Sequence, residues 1–276
     1  MPVERIVAYF NENGFSIDKQ TAHGLLKKTA LLFDNLYKAM QKAVKEDSYL
    51  CCDETYHRVL VKKGLNDGKG SRKGYVWVIV AAHLDLAYFF YDDGSRSEEV
   101  ILKELKGYSG AIQSDGLGAY KKVAAQSGGK TLRLACLQHC KRESLDMKGN
   151  ADADRIVTLA NQLYQNEHKH KTGEDGWTVE DNLRWRQEYA PQILGQMKET
   201  LLKIRSQQRK YPPKSQMYKA ASYMLNEWDG IEAISTGGDY SWDNNLIERI
   251  NRYVSLSRKN SLFFGSHVGA ERGCIF

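Results

Sequence analysis

Three acidic residues, each in its own local setting, carry the chemistry this sequence offers. They are Asp53 in CCDETYH, Asp115 in IQSDGLGAY and Glu248 in DNNLIERINR. An acidic residue alone says little, since the chain holds 34 of them. The settings are what count. Asp53 lies in a strand-like run, Asp115 ends a strand just before a Gly-rich turn, and Glu248 lies on the polar face of an amphipathic helix. Such a set suits carboxylates that converge on divalent metal ions beside a phosphodiester. Mg²⁺ takes oxygen ligands in near-octahedral geometry and keeps several waters, so a few carboxylates and a substrate phosphate suffice. Two ions about 3.5–4 Å apart clamp the attacking and leaving oxygens of an in-line displacement. Clustered carboxylates without a cation repel one another, which makes such a cluster costly as mere structure. Taken singly, each acid has a plainer reading. Asp53 would keep a strand edge soluble, Asp115 beside Gly116 would shape a turn, and Glu248 would pair with Arg252 one helical turn on.

Rigid elements must hold these residues, and the pattern predicts them. Residues 3–12 read as a helix broken at Asn13–Gly14, and Asp18 caps a long helix running to about Glu46. This pair is either a brace for the rest of the chain or a helix-turn-helix reader presenting Thr21, His23, Lys27 and Lys28. From Tyr49 the period changes to that of strands. Strands are expected at 49–62, 75–82 and 86–91, with a basic Gly-rich connection at 63–74; the short links imply antiparallel pairing. A helix capped by Ser95 or Ser97, a strand at 111–115, a helix at 117–126 and a strand at 132–136 follow, which implies parallel additions to the sheet. The fold class is therefore α/β, and this order is the one found in ribonuclease-H-like folds: three antiparallel strands plus parallel strands in a mixed sheet. Residues 151–235 read as an all-helical insertion, broken at Tyr211-Pro212-Pro213. The expected division is an N-terminal helical segment (1–47), the first part of the core (48–150), the insertion (151–235) and a final part with the Glu248 helix (236–276). With Asp243 as N-cap, that helix puts Leu246, Ile247, Ile250 and Val254 on one face. Asn245, Glu248, Asn251 and Arg252 fall on the other. Arg252, Arg258 and Lys259 are expected to contact DNA phosphates.

Bulk properties narrow the class. With 276 residues, 42% apolar and 27% charged, the chain can bury a core and solvate its surface. The net charge of +6 fits a polyanionic partner without proving one. Five cysteines at scattered positions do not make a secreted disulfide framework. The N-terminus lacks the apolar stretch of a signal peptide, and His83 and Asp85 interrupt the most hydrophobic run. A soluble cytosolic protein, with no membrane partner, is expected.

Several stretches, in order, resemble the catalytic domain of the insertion-sequence-66 transposase family, a DDE-type group. They are CDET at 52–55, RKGYVWV at 72–78, SRSEE at 95–99, QSDGLGAY at 113–120, CLQHCKR at 136–142, DNNLIERINR at 243–252 and SRKNSLFFGSHVGAERG at 257–273. The resemblance covers nearly the whole chain. It implies a ribonuclease-H-like fold, Mg²⁺ (with Mn²⁺ as substitute) and phosphoryl transfer on DNA, with self-association to bring two element ends together. By motif position Asp53, Asp115 and Glu248 correspond to the catalytic, metal-holding acids. Cys136 and His139 occupy the place of a Cys-x-x-His found in many DDE enzymes, which implies that His139 supports the site or approaches DNA, as does Asn245. Two plainer readings of Cys136 stand beside it: a buried packing thiol, or part of a zinc site with His139, Cys140 and one of Cys51 and Cys52. Family members usually carry an N-terminal DNA-binding region and a zinc module, and neither pattern is legible in this sequence. The alternatives to a transposase are a non-catalytic DNA-binding remnant and a ribonuclease-H-like nuclease.

Overall fold

The structure is a computed structural model, and it describes residues 2–62, 70–147, 149–170 and 172–276. Two helices open the chain, α1 (Val3–Glu12) and α2 (Lys19–Glu46). Three strands follow: β1 (Tyr49–Leu60), β2 (Ser71–Ala81) and β3 (Leu86–Tyr91). Then come α3 (Glu98–Glu104), β4 (Gly110–Ser114), α4 (Gly118–Gln126), β5 (Thr131–Ala135) and α5 (Leu137–Leu145). A helical run consists of α6 (Ala151–Glu167), α7 (Val179–Ser206), α8 (Gln216–Asn226) and α9 (Trp228–Ile234). The chain ends in α10 (Asn245–Asn260) and α11 (His267–Gly273). The strands form one five-stranded open sheet in the order β3-β2-β1-β4-β5, so the protein is a mixed α/β structure.

The chain divides into two compact units. The first comprises residues 1–110, 125–130 and 245–276. Its centre is the antiparallel β1–β2–β3 meander. Continuous burial over Tyr49–Cys52 marks a strand covered on both faces, whereas from Tyr56 to Leu60 exposed and buried residues alternate, so one face there is open. The Asp18 carboxylate caps α2 by accepting from the Thr21 N–H at 2.6 Å, as the sequence suggested. Farther along α2 the Tyr37 hydroxyl donates to the Phe89 carbonyl at 2.5 Å, which fastens this helix to β3 and fits the brace. The Asp47 carboxylate accepts from the backbone N–H groups of Tyr49 and His83, both at 2.9 Å, and ties the end of α2 to the β2–β3 turn. A small core of Val59, Val76, Tyr91, Ala270 and Cys274 joins the strands to α11.

Two boundaries differ from expectation. The second strand begins at Ser71 rather than at 75, because Ser71–Gly74 pair with His57–Leu60 of β1. Gly74 is required there: a Cβ would lie 2.6 Å from the Tyr91 hydroxyl. Residues 63–69 of the expected basic connection lie outside the described residues. Helix α10 starts at Asn245, so Asn244 and not Asp243 immediately precedes it; helix ends routinely move by a residue or two.

The second unit comprises residues 111–124 and 131–244. Its helices α6, α7 and α8 pack on one another, α5 joins them, and α9 lies on β5. Gly230 permits that last approach, since a Cβ would come within 3.0 Å of the Ala135 nitrogen. Helix α7 opens with a capping box, in which Thr178 and Asp181 satisfy each other's backbone N–H groups. It ends at Ser206, before the Tyr211-Pro212-Pro213 break. At the centre of the unit is Arg186, 1% exposed. Its guanidinium pairs with Glu167 and donates to the backbone carbonyls of Ile234, Gly237 and Tyr240.

Candidate functional site

Asp53 sits in mid-strand on β1, opposite Val78 of β2. Its Oδ1 accepts from the Glu54 N–H at 2.9 Å, and its Oδ2 accepts from Asn251 Nδ2 at 2.5 Å. Asn251 lies three residues after Glu248, on the same face of α10. The first unit therefore lays the Glu248 face of its helix against the strand that bears Asp53. Arg258, two turns on, holds the helix in that position. Its Nη1 donates to the Tyr56 carbonyl at 2.7 Å and to Thr55 Oγ1 at 3.3 Å, while its guanidinium stacks 4.6 Å from the Tyr56 ring centre. Asn245, Arg252 and Lys259 are exposed on α10.

In the second unit Asp115 directly follows β4. Its Oδ1 accepts from the Leu117 N–H at 3.0 Å, which shapes the turn into α4. Its carbonyl accepts from Arg133 Nη2 at 2.6 Å and from the Ser114 hydroxyl at 3.0 Å. Arg133 is in turn paired with Glu227, and both are buried; Glu227 also meets Lys121 at 2.7 Å. A buried pair of this kind is costly to break, because either partner alone would be a stranded charge. Gly116 has no room for a side chain, since the Tyr223 hydroxyl fills the place where a Cβ would stand. Burial, then the negative charge around Cys140, Glu227 and Asp115, pushes the Tyr223 phenol well above its ordinary range.

The segment leading into α10 is fixed from the same unit. Gln113, fully buried on β4, donates to the carbonyls of Ala135 at 3.2 Å and Ser241 at 2.7 Å. The Leu137 N–H reaches the Trp242 carbonyl at 2.9 Å, and the Asn244 N–H reaches Cys136 Sγ at 3.3 Å. Burial pushes the Cys136 thiol up to about 11, so it acts as a neutral acceptor in packing. His139 is half-buried on α5.

In the first unit Asp53 and Glu54 form an adjacent acidic pair on β1. Its hard oxygen donors suit Mg²⁺ or Mn²⁺ rather than zinc. All five cysteines are buried and outside any disulfide among the described residues, and neither Cys136 nor Cys140 belongs to a metal-ligand group among the described residues, against the zinc reading. Glu54 carried no role in the sequence, because adjacent residues on a strand point to opposite faces. Its carboxylate is held by Arg96, through Nε at 3.0 Å and Nη2 at 2.6 Å. Asn251 was placed on the Glu248 face but given no role. Arg133 could have been noticed as the one charge in the strand TLRLA.

The chain belongs to the Transposase IS66 family, whose model matches residues 1–272. It is similar to three uncharacterized proteins of Sinorhizobium fredii (strain NBRC 101917 / NGR234). It is 33% identical to y4jD over 193 residues, covering 67% of this chain and 36% of that one. To y4qI it is 26% identical over 289 residues, covering 98% and 51%. To y4hP it is 30% identical over 202 residues, covering 68% and 36%. The matches thus span between about a third and about a half of those relatives' length. Among the described residues no helix is long and apolar enough to cross a membrane.

Proposed function

We propose that this chain is the catalytic part of a DDE transposase that cleaves DNA strands and transfers them, and that it works in the cytoplasm. The reading takes the core as ribonuclease-H-like, residues 151–235 as its helical insertion and residues 1–47 as a bracing helical segment. The strand order β3-β2-β1-β4-β5 supports it. The observation that carries the reading is the Asn251–Asp53 hydrogen bond, which seats the Glu248 helix face on β1. Asp115, assigned by its motif position in the family, would supply the rest of the donor set.

Asp53, Asp115 and Glu248 would hold two divalent ions, Mg²⁺ or Mn²⁺. When bound, these ions supply positive charge that favours deprotonation of the attacking oxygen and stabilises the leaving one. Asn251 orients Asp53, and the Arg133–Glu227 pair steadies the backbone of Asp115. In the first step a water oxygen attacks the scissile phosphorus, the bond to the 3′ oxygen breaks, and a 3′ hydroxyl is freed. In the second that hydroxyl oxygen attacks a target phosphorus and displaces the target strand's 3′ oxygen. The attacking group's proton leaves to solvent in both steps. Arg252 and Lys259, exposed on α10, contact phosphates, and His139 and Asn245 border the DNA. Two copies of the chain would act together on two ends.

The test is nicking of element-end DNA with and without Mg²⁺. Wild type is expected to cleave only with metal, and Asp115→Ala to lose cleavage by at least about a thousandfold, the scale on which removal of one member of a catalytic set acts. Equal cleavage by both would refute the assignment. Glu248→Gln and Glu54→Gln, compared in the same assay, decide which Glu completes the set; loss is expected only for Glu248→Gln.

A further inference from the structure

The outer half of the β1–β2 hairpin pairs like with like. Arg58 lies directly opposite Lys73, and two pairs nearer the acids Tyr56 lies directly opposite Tyr75. Directly opposed residues of an antiparallel pair share a face, with side chains close together, and like charges so placed repel. Arg58, Tyr56 and Lys73 are all exposed. Among the described residues none of Arg58, Lys73 and Arg258 has a carboxylate within ion-pair distance. Arg58 Nη1 donates to Ser71 Oγ at 3.5 Å. Lys73 Nζ lies 5.1 Å from the Tyr56 ring centre, and the Arg258 guanidinium lies over the same ring. Two cations thus lie against one exposed aromatic ring, and Arg58 stands two residues farther along the same strand. Two residues back from Tyr56 along the same face stands Glu54 of the acidic pair, already neutralised by Arg96.

We propose that this strip is a binding track for the sugar–phosphate backbone of DNA, with phosphates on Arg58, Lys73 and Arg258 and a sugar or base edge against Tyr56. The inference rests on the transposase reading for its choice of polyanion. The repulsion between Arg58 and Lys73 is relieved when a phosphate lies between them, which is why the pair belongs to a site rather than to the fold. Cation–ring contacts hold Lys73 and Arg258 in place before DNA arrives, so little side-chain freedom is lost on binding. Aromatic platforms flanked by cations are a common means of gripping a strand without reading its sequence.

The experiment is DNA affinity against salt concentration, on duplex and on single-stranded oligonucleotides, for wild type, Arg58→Gln, Lys73→Gln and the double variant. Lys106→Gln, an exposed lysine elsewhere in the same unit, is the charge-matched control. Each lost phosphate contact flattens the slope of log K against log salt by about 0.9 on duplex or about 0.7 on single strands. The double variant is expected to flatten it by twice that amount in at least one of the two arms, and the arm that responds identifies the form of DNA bound. Arg58→Lys, which keeps the charge, is expected to keep the slope. Thermal midpoints of the Gln variants should equal or exceed that of wild type, since a repulsion has been removed. An unchanged slope in both arms, or a loss with Arg58→Lys as large as with Arg58→Gln, would overturn the track. Cleavage is measured in parallel. A flattened slope in a chain whose wild type never cleaves would leave the track standing and sink the transposase reading; intact cleavage with unchanged slopes would do the reverse.

Discussion

Asn251 illustrates how one amide can orient a carboxylate. Its Nδ2 hydrogen-bonds Asp53 Oδ2, one helical turn after Glu248. Hydrogen bonds to charged groups contribute about 1.5–3 kcal/mol. Asn251→Ala should therefore slow Mg²⁺-dependent nicking by roughly tenfold or more while leaving the fold intact, and Asn251→Asp should slow it further by adding a like charge beside Asp53. Equal rates for Asn251→Ala and wild type would show that Asp53 needs no such support. At this scale the sequence singled out Asp53, Asp115 and Glu248, because each carries a distinctive local setting. It was silent on Glu54, whose neighbour on a strand should face the other way. It was silent on Glu227 too, which meets Arg133 across 94 positions of sequence and leaves no short-range signal.

Among the elements, the Arg186 hub holds the second unit together. Burial alone would raise the Glu167 carboxyl, but the Arg186 guanidinium and its hydrogen bonds outweigh that and hold it below its ordinary 4.5. A carboxyl depressed on folding contributes stability that is fully present above its unfolded value and is lost as pH falls through the folded value. Wild type should therefore lose thermal stability on acidification below about pH 4.5, and Glu167→Gln should lose less over that interval. Arg186→Met strands Glu167 and three carbonyls and should destabilise the protein by about 3–5 kcal/mol by chemical denaturation. A change under 1 kcal/mol would mean that solvent replaces the hub. Helices were legible here from periodicity and from caps such as Asp18 and Thr178. The start of β2 was not, because Ser71-Arg72-Lys73-Gly74 has turn-like composition, and only pairing with β1 and the Tyr91 hydroxyl over Gly74 make it a strand.

For the whole molecule, a mixed sheet interrupted by helices was legible because strand and helix periods differ and connection lengths constrain pairing. The division into two units was not, since it cuts through β4 and α4 and depends on contacts distant in sequence. Neither was the strip of Tyr56, Arg58 and Lys73, which exists only through the register of β1 on β2. In the proposed reaction Asp53, Asp115 and Glu248 share divalent ions. Replacing Mg²⁺ with Fe²⁺ and adding ascorbate and peroxide generates hydroxyl radicals at the bound ion, which cut the polypeptide beside its ligands. Mapping the fragments by mass spectrometry should give cuts near residues 53, 115 and 248, all suppressed by excess Mg²⁺ and all lost together in Asp53→Ala. Cuts near 53 and 115 with none near 248, or no suppressible cuts at all, would contradict it.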